Sequence, residues 1–262
     1  MYPSWSPDGR RIAFASDLIN PFQLLEIFVM DADGQNVQRL TNRRGGSDWG
    51  PVWSPDGQQI AFTRLEGSGN IYVMDADGRN LRQLTWGGWE ASWSPDGRRI
   101  AFTSNRDGSQ DIYVMEIDGG NIQRLTDHLE FDFEPAWSPN GRQIAFVSNR
   151  ADGKSPKQRS EIYVMDADGR NVRRLTYTQS LNNNPLWSPD GKQIIFASNR
   201  DGKYDIYIMD ANGENIRKIP VDLGRDDVWK IQPVWVDPSV SLSVSPAEKQ
   251  PTTWGRIKSV AR

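Results

Sequence analysis

The sequence predicts an all-β propeller, in which four-stranded sheets stand as blades around a common axis. Three observations carry that prediction. One five-residue motif recurs through the chain, each recurrence is followed by the same series of short apolar runs, and glycine and proline interrupt every stretch before a helical period can develop.

Trp-Ser-Pro-Asp-Gly begins at Trp5, Trp53, Trp93 and Trp187, and at Trp137 with Asn140 in the aspartate place. Trp235-Val-Asp-Pro is a sixth, degraded copy. Units start near residues 3, 51, 91, 135, 185 and 233, a spacing of about 40–50 residues that suits one blade each. The expected organisation is a single domain over residues 1–262.

Within a unit the elements follow in order. Strand A runs into the tryptophan, as in Glu134-Pro135-Ala136-Trp137. Ser-Pro-Asp-Gly then turns the chain, proline presetting φ and glycine supplying a positive φ. Strand B is Ile12-Ala13-Phe14, repeated as Ile60-Ala61-Phe62, Ile100-Ala101-Phe102, Ile144-Ala145-Phe146 and Ile194-Ile195-Phe196. Strand C is Ile71-Tyr72-Val73-Met74 and its equivalents, and a second turn such as Asp75-Ala76-Asp77-Gly78 leads to strand D, which ends in Leu84-Thr85. Strands B and C are apolar on both faces, as in a sheet covered on two sides. Apart from Met1, every methionine (Met30, Met74, Met115, Met165, Met209) occupies one strand-C position, which marks packing and not a cofactor ligand. After Trp235 the repeat degrades. Residues 240–245 fit a strand B and 252–260 a further strand, with polar 246–251 between them. The expectation is six blades, the last irregular with 237–262 as its closing segment; a five-bladed ring with a C-terminal appendage is the alternative.

Composition narrows the function. A formal net charge of −3, with no basic tail or stripe, argues against nucleic acid or an anionic membrane surface as partner. No apolar run reaches membrane-spanning length. The chain has no cysteine, so disulfides, zinc–thiolate centres and thiol catalysis are excluded. Met1-Tyr2-Pro3 leads straight into the first repeat, so a leader or further module is expected to be missing from this start.

The unit Trp-Ser-Pro-Asp-Gly, Ile-Ala-Phe, Ser-Asn-Arg-Asp-Gly, Ile-Tyr-Val-Met-Asp-Ala-Asp-Gly, Arg-Leu-Thr closely resembles the WD40-like repeat of TolB-type propellers, over about residues 1–236. The resemblance implies the propeller fold, a periplasmic or extracellular location and the docking of partner proteins. The same repeat also builds the non-catalytic propellers of tricorn-type and prolyl-oligopeptidase-type peptidases and an oligogalacturonate lyase group, so function has to be argued from the site.

Antiparallel strands alternate direction, so A–B and C–D turns share one face and B–C and D–A loops the other. The first set hardly varies between copies. The second set differs in every unit: the D–A connections are 42–50, 86–90, 127–134, 177–184 and 220–232, and the B–C loops range from 64–70 to 148–161. Variable loops on a rigid scaffold are where function concentrates. Of eleven tryptophans, six hold the repeat position and Trp254 lies in the tail; the remaining four, Trp49, Trp86, Trp89 and Trp229, all fall in D–A connections. Phe131, Phe133 and Tyr177 join them, with Asp48, Glu90, Asp132, Glu134, Asn182, Asn183, Asn184 and Asp226 as polar neighbours. The candidate ligand-binding face is Trp49, Trp86, Trp89, Glu90, Phe131, Phe133, Glu134, Tyr177, Asn183 and Trp229, suited to a protein or peptide, with a glycan as the second ligand class. Trp49, Trp89 and Phe133 share one position, four residues before the core tryptophan, and inter-blade packing is the competing reading for them.

No catalytic set, metal site or cofactor is expected. The Asp-x-Asp-Gly-x-Asn segments lack the glutamate that a calcium loop carries at position twelve and read as hairpin turns. His128 is the only histidine, and no Gly-x-Ser-x-Gly elbow exists. Asp127, His128, Glu130, Asp132 and Glu134 crowd one connection, read as a solvated loop. Arg106, Arg150 and Arg200 recur in Ser-Asn-Arg loops, near Arg43 and Arg44, and read as a repeated ion-pair or stacking device. Glu90 and Glu134 share a repeat position before strand A, and they support the alternative of a carbohydrate-active propeller. The expected function is a non-enzymatic, monomeric scaffold that binds a protein or peptide on the D–A/B–C face.

Overall fold

The computed structural model describes residues 3–17, 24–42, 46–150 and 159–220. They form five four-stranded antiparallel sheets, each a meander in sequence order. The first blade is β1 (Ser4–Trp5), β2 (Arg11–Ser16), β3 (Glu26–Asp31) and β4 (Gln38–Arg39). The second is β5 (Ser47–Trp53), β6 (Gln59–Leu65), β7 (Asn70–Asp75) and β8 (Arg82–Gln83). The third is β9 (Trp89–Trp93), β10 (Arg99–Ser104), β11 (Asp111–Glu116) and β12 (Gln123–Arg124). The fourth is β13 (Asp132–Trp137), β14 (Gln143–Ser148), β15 (Glu161–Asp166) and β16 (Arg173–Arg174). The fifth is β17 (Asn182–Trp187), β18 (Gln193–Ser198), β19 (Asp205–Asp210) and β20 (Arg217–Lys218).

Successive first strands pack against one another, β1 on β5, β5 on β9, β9 on β13 and β13 on β17, so strand A is innermost. Strand D pairs only with its own strand C and forms the outer edge. The five blades correspond to the five-bladed alternative. The expected sixth unit, with its closing segment at 237–262, lies outside the described residues, and the first and fifth blades make no contact with each other among the described residues.

The core lies between blades. Strands B and C are buried on both faces, as their unbroken apolar pattern requires. The strand-B phenylalanine stacks on the strand-C aromatic of its own sheet, as Phe62 does on Tyr72 at 5.8 Å and Phe146 on Tyr163 at 5.7 Å. The recurring methionines fill inter-blade clusters, Met115 with the Ala61 and Trp93 group and Met209 with the Ala145 and Trp187 group.

The repeat tryptophan does two jobs. Its ring fills the space between blades, and at three of the positions its Nε1–H donates to a carbonyl on the preceding blade's strand A. Trp53 reaches Ser4 O at 3.1 Å, Trp93 reaches Val52 O at 3.2 Å and Trp187 reaches Ala136 O at 3.1 Å. A polar handle on a large apolar ring is what this position needs.

The turns explain their own sequences. In Ser54-Pro55-Asp56-Gly57, the serine Oγ donates to Asp56 Oδ1 and accepts from Gln59 N–H, while Gly57 N–H closes on Ser54 O with φ at 69°. In the C–D turn, Asn80 takes φ of 53° and its Nδ2 donates to Asp75 Oδ2 at 2.6 Å; Asn36, Asn121, Asn171 and Asn215 repeat this on Asp31, Glu116, Asp166 and Asp210. The first acid of each Asp-x-Asp-Gly-x-Asn segment is thereby engaged in holding a hairpin.

Candidate functional site: the loop face

Backbone bonds place the two variable loop classes on one face. Each D–A connection is stitched to the B–C loop of the blade it leaves: Asp48 N–H donates to Leu25 O, Gly88 N–H to Gly69 O, Asp132 N–H to Gln110 O and Asn182 N–H to Ser160 O. On the opposite face, C–D turns bond A–B turns, as Ala76 N–H does to Gln58 O and Ala167 N–H to Arg142 O.

Under the loops lies a repeated polar layer that explains the Arg-Leu-Thr ending of strand D. The acid opening strand C pairs with the strand-D arginine, Glu26 with Arg39, Asp111 with Arg124 at 2.7 Å and Glu161 with Arg174 at 2.9 Å. The threonine Oγ1 accepts a strand-C N–H, from Ile27, Ile112 and Ile162. Above that layer an arginine lies over the stacked aromatic pair. Arg106 covers Phe102 and Tyr113, Arg150 covers Phe146 and Tyr163, and Arg200 covers Phe196 and Tyr207, all with the guanidinium carbon 4.3–5.5 Å from the ring centres. The Ser-Asn-Arg repeat is this stacking device. Arg43 and Arg44 lie outside the described residues.

Strand A carries a bulge at one fixed position, three residues before the repeat tryptophan. Gly50, Glu90, Glu134 and Asn184 all have positive φ, 61°, 58°, 53° and 54°, and each interrupts the register of its strand with strand B. Two of the four bulge residues are glutamates, and their carboxylates have a specific task. Glu90 Oε2 accepts from Thr103 Oγ1 at 2.8 Å and from Glu134 N–H of the next blade at 2.9 Å. Glu134 Oε2 in turn accepts from Asn184 N–H, one blade further on, at 2.5 Å. A carboxylate relay therefore ties the inner strands of the third, fourth and fifth blades. Burial, then the neighbouring Glu90 charge, pushes the Glu134 carboxyl up to about 8, and burial also raises Glu90.

The candidate aromatics separate into two groups. Trp86, Phe131 and Tyr177 project into solvent, 78%, 46% and 75% exposed, in the connections into the third, fourth and fifth blades. Tyr177 is braced by the Arg174 guanidinium 4.7 Å from its ring centre. Trp49 and Phe133 pack instead against the cores between blades one and two and between blades four and five, and Trp89 is half-buried at the start of β9. Asn183 is half-buried, its Oδ1 accepting from Ser160 Oγ and its Nδ2 donating to Tyr204 Oη. Trp229 and Asp226 lie outside the described residues. Leu129 is a member that the sequence reading missed. It is 94% exposed two residues before Phe131, and its one signal was an aliphatic residue amid Asp127, His128 and Glu130.

The crowded 127–134 connection does not converge on a centre. Asp127 pairs with Arg124 at 2.9 Å, Asp132 with Arg150, and Glu134 belongs to the relay. His128 Nδ1 accepts from Glu130 N–H at 3.1 Å. No group of three or more histidine or acidic side chains with metal-binding spacing occurs among the described residues.

Fold and face together define a β-propeller with one rim uniform between its repeats and one diversified. Three segments, residues 1–92, 89–157 and 153–245, match the model of the TolB β-propeller domain, and the chain belongs to that family. Among solved structures it is similar to TolB from Agrobacterium tumefaciens, at 26% identity and a TM-score of 0.72 over 83% of this chain and 79% of that one. It is also similar to TolB from Acinetobacter baumannii, at 29% identity and a TM-score of 0.72 over 85% of this chain and 54% of that one. The chain thus spans about half the length of the Acinetobacter protein. An oligogalacturonate lyase solved with manganese, at 16% identity and a TM-score of 0.60 over 83% of this chain and 64% of that one, shares the fold alone. No curated protein sequence matches the chain.

Proposed function

We propose that this chain is a non-enzymatic scaffold that binds a protein or peptide across its D–A/B–C loop face. One observation carries the reading: Trp86, Leu129, Phe131 and Tyr177 stand exposed on that face, in three successive connections that differ in sequence. Large aromatics held in solvent by a rigid base are typical anchors of recognition surfaces. Exposed apolar residues elsewhere, Val37, Leu81, Ile122 and Val172, are aliphatics at one repeat position beside the C–D turns. They belong to the repeat and carry no individuality.

Trp229 is assigned to the same surface from its sequence position, and Trp49, Trp89 and Phe133 support it from beneath. The family resemblance supports a protein partner and a location outside the cytoplasm, in the periplasm or beyond, with the chain acting as a monomer. The glycan-binding or carbohydrate-active alternative calls on the rim aromatics and on the carboxylates of Glu90 and Glu134. Both accept backbone N–H groups of the adjacent blade, so they have a structural task.

The test is co-precipitation from an extract of the source cells by the unaltered chain and by the double variant Trp86→Ala/Trp229→Ala. Specific partners should be lost with the double variant while its thermal midpoint stays within a few degrees. Equal recovery of the same proteins by both chains overturns the assignment.

A further inference from the structure

We propose that the third blade carries a carboxylate-binding subsite on the loop face, made of the Arg106 guanidinium beside Trp86, which takes an Asp or Glu side chain of a peptide partner. The proposal rests on the loop-face reading above and adds the chemistry of the occupant.

In four blades an arginine lies over the stacked aromatic pair, and the residue five places before the repeat tryptophan lies beside it. In the second blade that residue is Asp48, whose carboxylate holds Arg64 through two bonds, at 2.6 Å and 2.8 Å. In the fourth it is Asp132, which holds Arg150. In the fifth it is Asn182, whose Oδ1 accepts from Arg200 at 3.2 Å. In the third it is Gly88, and a Cβ there would meet the Phe102 ring at 2.9 Å, so this blade has no room for the acid.

Arg106 therefore lacks the partner that its equivalents have. Its Nε donates to Ser104 Oγ at 3.1 Å, and its Nη2 to Thr85 Oγ1, Trp86 O and Gly87 O at 2.6, 3.1 and 3.4 Å. All four acceptors are neutral. Asp107, its sequence neighbour, is engaged by Tyr113 Oη at 2.7 Å, and no acidic side chain forms an ion pair with Arg106 among the described residues. The guanidinium is half-buried, which weakens its solvation, yet its Nη1 is not fully enclosed, whereas Nη1 of Arg64 is buried without a partner. A fixed, partly desolvated cation with one edge open binds carboxylate more strongly than a mobile surface lysine would. Trp86, 78% exposed and bonded to Arg106 through its own carbonyl, supplies an apolar ring from the same connection. An acidic side chain flanked by an apolar or aromatic one fits the pair.

The experiment pans a phage-displayed random dodecapeptide library on the unaltered full chain. Each selected peptide is then resynthesised with its Asp and Glu changed to Asn and Gln, and both forms are titrated by calorimetry. The expected result is selection of peptides with an acid near an aromatic or aliphatic residue, with amidation weakening binding about tenfold or more. That penalty should persist in Arg106→Lys and vanish in Arg106→Gln. The amide comparison on the unaltered chain needs no variant to fold. Peptides that bind equally well as amides, but are weakened by Trp86→Ala, overturn the carboxylate subsite and leave the loop-face reading standing. Failure to select any peptide above background overturns both.

Discussion

Glu134 sits at a left-handed bulge, accepts the Asn184 N–H and is held above the ordinary glutamate range by burial and then by the nearby Glu90 charge. The folded chain therefore keeps a proton that the unfolded chain releases near pH 4–5. Where the folded state binds more protons, stability falls as pH rises, so stability should decline between about pH 5 and 8 as the pair is forced to ionise. Glu134→Gln keeps the acceptor and removes the charge. At pH 8 it should be more stable than the parent by on the order of 2 kcal/mol, with the difference shrinking toward pH 5, as read by urea melts at both pH values. Equal midpoints at pH 8 would show that the relay is not under electrostatic stress. Trp187→Phe keeps most of the ring but loses the bond to Ala136 O, and should cost about 1–2 kcal/mol in the same assay. The glutamate relay was not legible in the sequence. A glutamate at positive φ runs against its local preference, and its partner lies 44 or 50 residues away, where only the closed geometry of adjacent blades brings it near.

At the scale of elements, strands and turns were legible because each unit states them again in the same residues. Ser-Pro-Asp-Gly and the Asp-Ala-Asp-Gly turns encode their own hydrogen bonds locally, and two-faced burial shows directly as unbroken apolar runs. The loops were legible only as a class. Trp49 and Trp86 both read as aromatics in D–A connections; Trp49 falls within β5 and packs between blades, whereas Trp86 precedes β9 and stays in solvent. The arginine that crowns the aromatic pair in four blades offers a test at this scale. Asp48→Ala strands the fully buried Arg64 charge and should destabilise the chain by about 3–5 kcal/mol, measured by chemical denaturation. The double change Asp48→Leu/Arg64→Met, which removes both charges, should recover most of that loss. A single variant as stable as the parent would mean that the pair is not what closes the second blade.

At the scale of the molecule, repetition fixes the fold and its breakdown marks the rim proposed to bind. The five blades share turns and strand-C methionines, and tryptophan bonds and arginine stacks recur in most of them, so these features carry little individuality. Individuality is left to the loops that enter the third, fourth and fifth blades, where Trp86, Leu129, Phe131 and Tyr177 meet solvent. The six-blade count was the least legible feature, because after Trp235 the recurring signals of strand and turn are gone and sequence reasoning has nothing to repeat. Hydroxyl-radical footprinting of the chain with and without a selected peptide or co-precipitated partner tests the central claim most directly. The account predicts protection of Trp86, Phe131 and Tyr177 with no change in the C–D turns that contain Leu81 and Val172. Protection confined to those turns, with the aromatics still fully labelled, would contradict it.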